Sequence, residues 1–114
     1  MALTEQRHNV HKFRDIKPRL NNDNWISWKR ELLATARDRG LYQIILGKDP
    51  KPTSLTSDTF AEKLSAWNER NDTAYNQILL NISTEIQSLL DDTDQAEEAW
   101  KILGNKLNQP TRAK

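Results

Sequence analysis

Residues 60–82 read Phe60-Ala61-Glu62-Lys63-Leu64-Ser65-Ala66-Trp67-Asn68-Glu69-Arg70-Asn71-Asp72-Thr73-Ala74-Tyr75-Asn76-Gln77-Ile78-Leu79-Leu80-Asn81-Ile82. Phe60, Leu64, Trp67, Ala74, Ile78 and Ile82 are separated by four, three, seven, four and four residues. That is the period of one helix face. It predicts a long helix beginning after Ser57 or Asp58, with Leu79 and Leu80 widening the end of its apolar stripe. Asn71 stands where the next apolar residue belongs and opens the polar patch Asn71-Asp72-Thr73, a candidate bend or break. A helix that is apolar along one stripe must bury that stripe against other elements.

The neighbouring segments supply those elements. Upstream, Trp25, Trp28, Leu32 and Ala36 fall on one face of a helix predicted over 25–39, with Leu33 widening the stripe. Asn22, Asp23 and Asn24 are N-cap candidates, and Gly40 is placed to close the helix with a positive φ. The run Leu41-Tyr42-Gln43-Ile44-Ile45-Leu46, closed by Gly47, fits a strand by itself; its helical surroundings favour a short helix. Lys48-Asp49-Pro50-Lys51-Pro52-Thr53-Ser54 is a loop held extended by its prolines. Downstream, Ser83 caps a short helix over 84–90 that turns Ile86, Leu89 and Leu90 inward. A last helix, over 95–107, carries the stripe Ala96, Ala99, Trp100, Leu103 and Leu107. Asp92 with Gln95, or Asp94 with Glu97, has the spacing of a capping box. Gly104 inside this helix costs about 1 kcal/mol relative to Ala, which close packing on a neighbour would explain. The expected fold is all-α, a small bundle of four to five helices. Its expected divisions are a basic N-terminal arm (1–19), a helical domain (20–108) and a C-terminal tail (109–114). The predicted core comprises Trp28, Leu32, Trp67, Ala74, Ile78, Ile82, Trp100 and Leu103. Trp25, in a first turn, and Tyr42 are the candidate partner surface.

Composition narrows the chemistry. The chain has 114 residues, 14 Leu and 8 Ile but a single Val, and no cysteine. Disulfides, cysteine-based zinc or iron–sulfur sites and thiol nucleophiles are excluded. Seventeen basic and sixteen acidic residues leave a net charge of +1, without the basic excess of a dedicated nucleic-acid module. The charge is nevertheless segregated. Residues 1–19 carry a net +3, 85–98 a net −6 and 101–114 a net +4. Both histidines, His8 and His11, lie in the basic arm. A Ser-His-Asp machine is therefore not expected, and two histidines in an arm make a weak metal site.

The acidic run Asp91, Asp92, Asp94, Glu97, Glu98 lacks the glycine and terminal glutamate of a calcium loop and reads as helix capping. The three glycines are isolated, so no phosphate loop is present. No apolar run reaches membrane-spanning length and no secretory leader is visible, so a soluble intracellular (cytoplasmic) protein is expected. The sequons Asn71-Asp72-Thr73 and Asn81-Ile82-Ser83 are then chance matches. No enzyme activity, cofactor or metal is expected.

Three segments, taken together and in order, resemble the Gag proteins of copia-type LTR retrotransposons. Leu20-Asn21-Asn22-Asp23-Asn24-Trp25-Ile26-Ser27-Trp28-Lys29-Arg30-Glu31-Leu32 is similar to their opening motif L-N-G-x-N-Y-x-x-W-K-x-x-M, with Asn22 in place of Gly and Trp25 in place of Tyr. Trp67, Asp72, Ala74 and Ile78 resemble W-x4-D-x-A-x3-I, and Ala96-Glu97-Glu98-Ala99-Trp100-Lys101-Ile102-Leu103 resembles A-x-E-A-W-x-x-L. The resemblance covers about residues 20–107 and implies a capsid N-terminal-domain-like fold. It implies a structural protein, or a domesticated derivative, whose copies associate through helical surfaces into a shell around the element's RNA. RNA would be bound mainly through a Cys-His knuckle region that this sequence does not contain. A peptide-binding module built around an apolar groove is the alternative.

Overall fold

In the computed structural model, residues 15–53 and 59–107 are described. The arm up to residue 14, with His8 and His11, and the tail from 108, for which the sequence sets expectations, lie outside them. Five α-helices make up the described part: α1 (Trp25–Asp38), α2 (Tyr42–Ile45), α3 (Phe60–Leu79), α4 (Thr84–Gln87) and α5 (Ala96–Leu107). A 3-10 turn, Ser88–Leu90, continues α4. No β-strand occurs among the described residues; Leu20 and Ile82 form an isolated parallel bridge. None of the described helices is long and apolar enough to cross a membrane.

The glycines end the first two helices as their chemistry requires. Gly40 has φ +76, and beyond it Leu41 N–H bonds back to the Ala36 carbonyl at 2.8 Å. Gly47 has φ +80, and Lys48 N–H reaches the Gln43 carbonyl at 2.8 Å. Both geometries satisfy carbonyls that a helix end leaves open, and both need a residue without a Cβ penalty. Because each reversal is tight, α1 and α2 fold back on the same core. Helix α3 packs on α2 and α5, and α5 also packs on α2. Leu32, Ala36, Ile45, Ala74, Ile78, Ala96, Ala99 and Leu103 are wholly buried between them, and Trp28, Trp67 and Ile82 nearly so. Phe60 and Leu64, at the start of the long stripe, are only half-buried.

Several details depart from the sequence reading. Helix α3 runs without interruption through Asn71. The Asn71 side chain is buried and clamps the start of α5: its Nδ2 donates to the Asp94 carbonyl at 2.9 Å, and its Oδ1 accepts from Ala96 N–H at 2.8 Å. The polar residue in the apolar stripe therefore serves as an external helix cap. Neither expected capping box forms. Instead Thr93 Oγ1 accepts from Gln95 N–H at 3.2 Å and donates to Glu98 at 2.6 Å. Asn24, at the N-cap position of α1, makes no cap bond. Its Oδ1 accepts from Asn21 N–H at 2.8 Å and its Nδ2 donates to the Arg19 carbonyl at 3.1 Å. Ser83 caps α4 as expected, accepting from Ile86 N–H.

The packed body also begins before residue 20. Ile16 and Leu20 are buried, and the segment between them is tied down by Asn81. Asn81 Oδ1 accepts from Ile16 N–H at 2.9 Å, while its Nδ2 donates to the Gln77 carbonyl at 2.9 Å. The Asn81 carbonyl accepts from Leu20 N–H at 3.0 Å, and Ser83 N–H donates to the Leu20 carbonyl at 3.0 Å. Both sequon asparagines are thus buried with occupied amides. Removing either leaves two backbone groups without partners, which costs about 2 kcal/mol or more. Asn71→Ala and Asn81→Ala are each expected to lower unfolding free energy by about that amount in urea titrations; an unchanged midpoint would contradict these assignments.

Candidate interaction groove

The tryptophans converge as their helix positions dictate. Trp25 and Trp28 are one turn apart on α1, and Trp100 meets them from α5. The ring centroids of Trp25 and Trp28 are 6.1 Å apart, those of Trp28 and Trp100 6.1 Å, and those of Trp25 and Trp100 5.3 Å. Offset and tilted contacts at this range are favourable for aromatic pairs. Trp28 is the inner member, buried, its Nε1–H donating to the Asn81 carbonyl at 2.9 Å.

The outer two exchange the places expected of them. Trp25, expected at the surface, is 6 % exposed, and its buried Nε1 has no hydrogen-bond partner. Trp100, expected in the core, is half-buried at the cluster's rim. Tyr42 is half-buried too, its ring 4.1 Å from the Arg37 guanidinium, and it lies apart from this cluster's rim. Trp67 sits elsewhere. Its Nε1–H donates to the Asp49 carbonyl at 2.7 Å, and Arg70 pairs with the Asp49 carboxylate at 2.7 Å, so the loop after α2 is fastened to α3.

At the cluster's rim lies a shallow groove of about 420 Å³, lined by Trp25, Lys29, Trp100, Lys101, Gly104 and Asn105. Lys29 Nζ lies 5.5 Å from the Trp25 ring centroid, within cation–π range. Lys101 is well exposed and pairs with Glu97, one turn earlier, at 3.1 Å. A Cβ on Gly104 would meet Trp25 Cζ2 at 3.6 Å, an ordinary contact. The glycine therefore keeps the groove open over Trp25 rather than permitting an otherwise impossible approach. The resulting surface sets ammonium groups, which attract an anion, beside an aromatic wall against which the body that carries it can pack.

The acidic run lies at the other end of α5. Asp91, Asp92 and Asp94 are exposed on the turn that Asn71 holds, and neither salt bridge of the described residues involves them. Among the described residues no group of three or more His, Cys, Asp or Glu is arranged to hold a metal ion. Tyr75 reaches under this turn, its hydroxyl 3.4 Å from the Leu90 carbonyl. Burial chiefly, then the charges of Asp94 and Asp91, raise its pKa above the usual 10.0.

No family model, curated protein or solved structure matches this chain.

Two expectations follow from the site. Trp28→Ala should cost about 3–5 kcal/mol, as for a large buried aromatic, and Trp100→Ala about half as much; equal losses in urea melts would contradict the placement of Trp100 at the rim. The raised Tyr75 pKa means that the folded state holds the phenolic proton more tightly than the unfolded chain does. The stability this contributes is complete below about pH 10 and is lost as pH rises through the folded value. Between about pH 9 and about pH 11, the wild type should therefore lose more stability than Tyr75→Phe; parallel losses would refute it.

Proposed function

We propose that this chain is a structural protein of the Gag/capsid type, akin to the N-terminal capsid part of copia-type LTR retrotransposon Gag. In this reading its copies associate through helical surfaces to form a shell around the element's RNA. The observation that carries the proposal is the ordered set of three motifs, which coincides with the residues joining the three long helices. From α1 comes Trp28, from α3 Trp67, Ala74 and Ile78, and from α5 Ala96, Ala99, Trp100 and Leu103. Seven of these eight are buried, and Trp100 closes the cluster over Trp28 at 6.1 Å. That the apolar motif residues are the ones that pack together is what a capsid N-terminal-domain-like fold would require of them.

Shell proteins need no single tight interface. Weak contacts repeated by symmetry hold a particle together, because each added copy makes several contacts at once. The alternative, a domesticated binding module for a partner peptide, is supported by the groove between Trp25 and Trp100.

Sedimentation velocity and negative-stain electron microscopy of the chain, from micromolar to millimolar concentration, test the leading proposal. Mass should rise beyond the dimer with concentration. A strictly monomeric species throughout would overturn it.

A further inference from the structure

We infer that the groove between α1 and α5 receives the acidic turn of a second copy, residues 91–94, so that copies join head to tail. This rests on the self-association reading and names its interface. The argument is one of charge complementarity and shape. The groove offers the ammonium groups of Lys29 and Lys101 beside the Trp100 ring, Lys101 being well exposed and shared with Glu97 in an i,i+4 pair that an incoming carboxylate would have to join or displace. Its complement is a protruding group with several carboxylates and little bulk. The chain itself presents such a group: Asp91, Asp92 and Asp94, exposed on one turn and without an ion-pair partner among the described residues.

The turn is held in place before any encounter. Asn71 grips the Asp94 carbonyl and the Ala96 amide, and Thr93 is bonded to Gln95 N–H and Glu98. Little ordering entropy is then lost on docking. The turn precedes α5 and the groove lies along its middle and C-terminal half, on one rigid helix, so a copy cannot place its own turn in its own groove. Lys101 is seven positions beyond Asp94, about 10 Å along a helix axis. Two different patches meeting between copies make a heterologous contact. It leaves a free groove at one end and a free turn at the other, and so extends to rings or chains.

Charge exchange tests the interface. One variant reverses the groove (Lys29→Glu with Lys101→Glu), and another reverses the turn (Asp91→Lys, Asp92→Lys and Asp94→Lys). Each alone should self-associate at least tenfold more weakly than wild type. An equimolar mixture should associate again with the two variants alternating, because each offers the other a groove and a turn of opposite charge. A chain carrying both sets should associate again. Independently of the variants, raising the wild-type concentration at low salt should shift the Trp100 indole and the amides of 91–94 in 1H–15N spectra. Added salt should reverse those shifts, and the Trp67 indole should not move. Wild-type association that survives both reversals, or that shifts signals elsewhere, would overturn this interface and leave self-association standing. A wild type monomeric at every concentration would overturn both. Groove signals that respond only to an added acidic peptide or RNA oligonucleotide would assign the groove to another partner and overturn the inference.

Discussion

The carbonyl of Asn81 accepts two hydrogen bonds, from the Leu20 amide and from the Trp28 indole, while its side chain takes the Ile16 amide. Three separate parts of the chain meet at this residue: the end of α3, the segment before α1, and the tryptophan at the centre of the aromatic cluster. Each donor it accepts is buried, and a buried donor without a partner is costly. The Trp28 ring lies at the centre with its polar edge satisfied by this carbonyl, which spares it the cost of an unpartnered buried donor. Trp25 and Trp100 then pack on that fixed ring, and the groove is the space left at their rim. The order of dependence runs from one asparagine to the surface.

Asn71 plays the corresponding part at the other side of α3. Both asparagines interrupt or end an apolar stripe and exchange hydrophobic burial for two directed bonds: Asn71 makes both to the start of α5, and Asn81 one to the Ile16 amide and one to the Gln77 carbonyl of α3. That exchange also fixes geometry. An apolar side chain at 71 would pack against α5 in more than one way, whereas an amide bonded to the Asp94 carbonyl and the Ala96 amide sets the axial position of α5. The acidic turn inherits its rigidity from this clamp. Gln77 gains no such return: its side chain is wholly buried and its amide has no hydrogen-bond partner.

What could be read from the sequence divides along the same line. The helices were legible because their signals are local: the 3.6-residue stripe of α1, α3 and α5, the glycines at 40 and 47, and the serine before α4. The run 41–46 was decided by its surroundings, and the helix Tyr42–Ile45 agrees. Asn71 looks like a weakness in the sequence because the partners that make it a cap lie 23 and 25 residues away on another element. Asn81 stood out only as a sequon, since no periodicity marks a residue whose partner is 65 positions distant. Trp25 and Trp100 both sit on apolar stripes, and a stripe tells which face is inward, not how deep each residue lies along it. Depth depends on what covers the helix end. Trp25 is covered by the α5 turn at Gly104, whereas Trp100 stands at the rim of the groove beside Lys101 and is only half-buried among the described residues.

The charge distribution bears on association differently from the net charge. At a net +1, copies of this chain repel one another little at long range. What remains are local fields: a carboxylate turn at one end of α5 and ammonium groups toward the other. A helix also carries its own dipole, positive at its N-terminus and negative at its C-terminus. The acids at its start, Glu97 and Glu98, and Lys106 in its last turn oppose that dipole at both ends, which stabilises the helix within one molecule. The arrangement that steadies α5 thereby leaves opposite charges at its two exposed ends. A single selection on helix stability would produce the charge polarity. What it would not produce is an aromatic groove at the basic end, kept open by a glycine that weakens the same helix. Helix stability alone favours alanine at 104, where a methyl would fit against Trp25. At 104, then, the residue that is poor for the helix is the one that leaves the groove its full width beside Trp25.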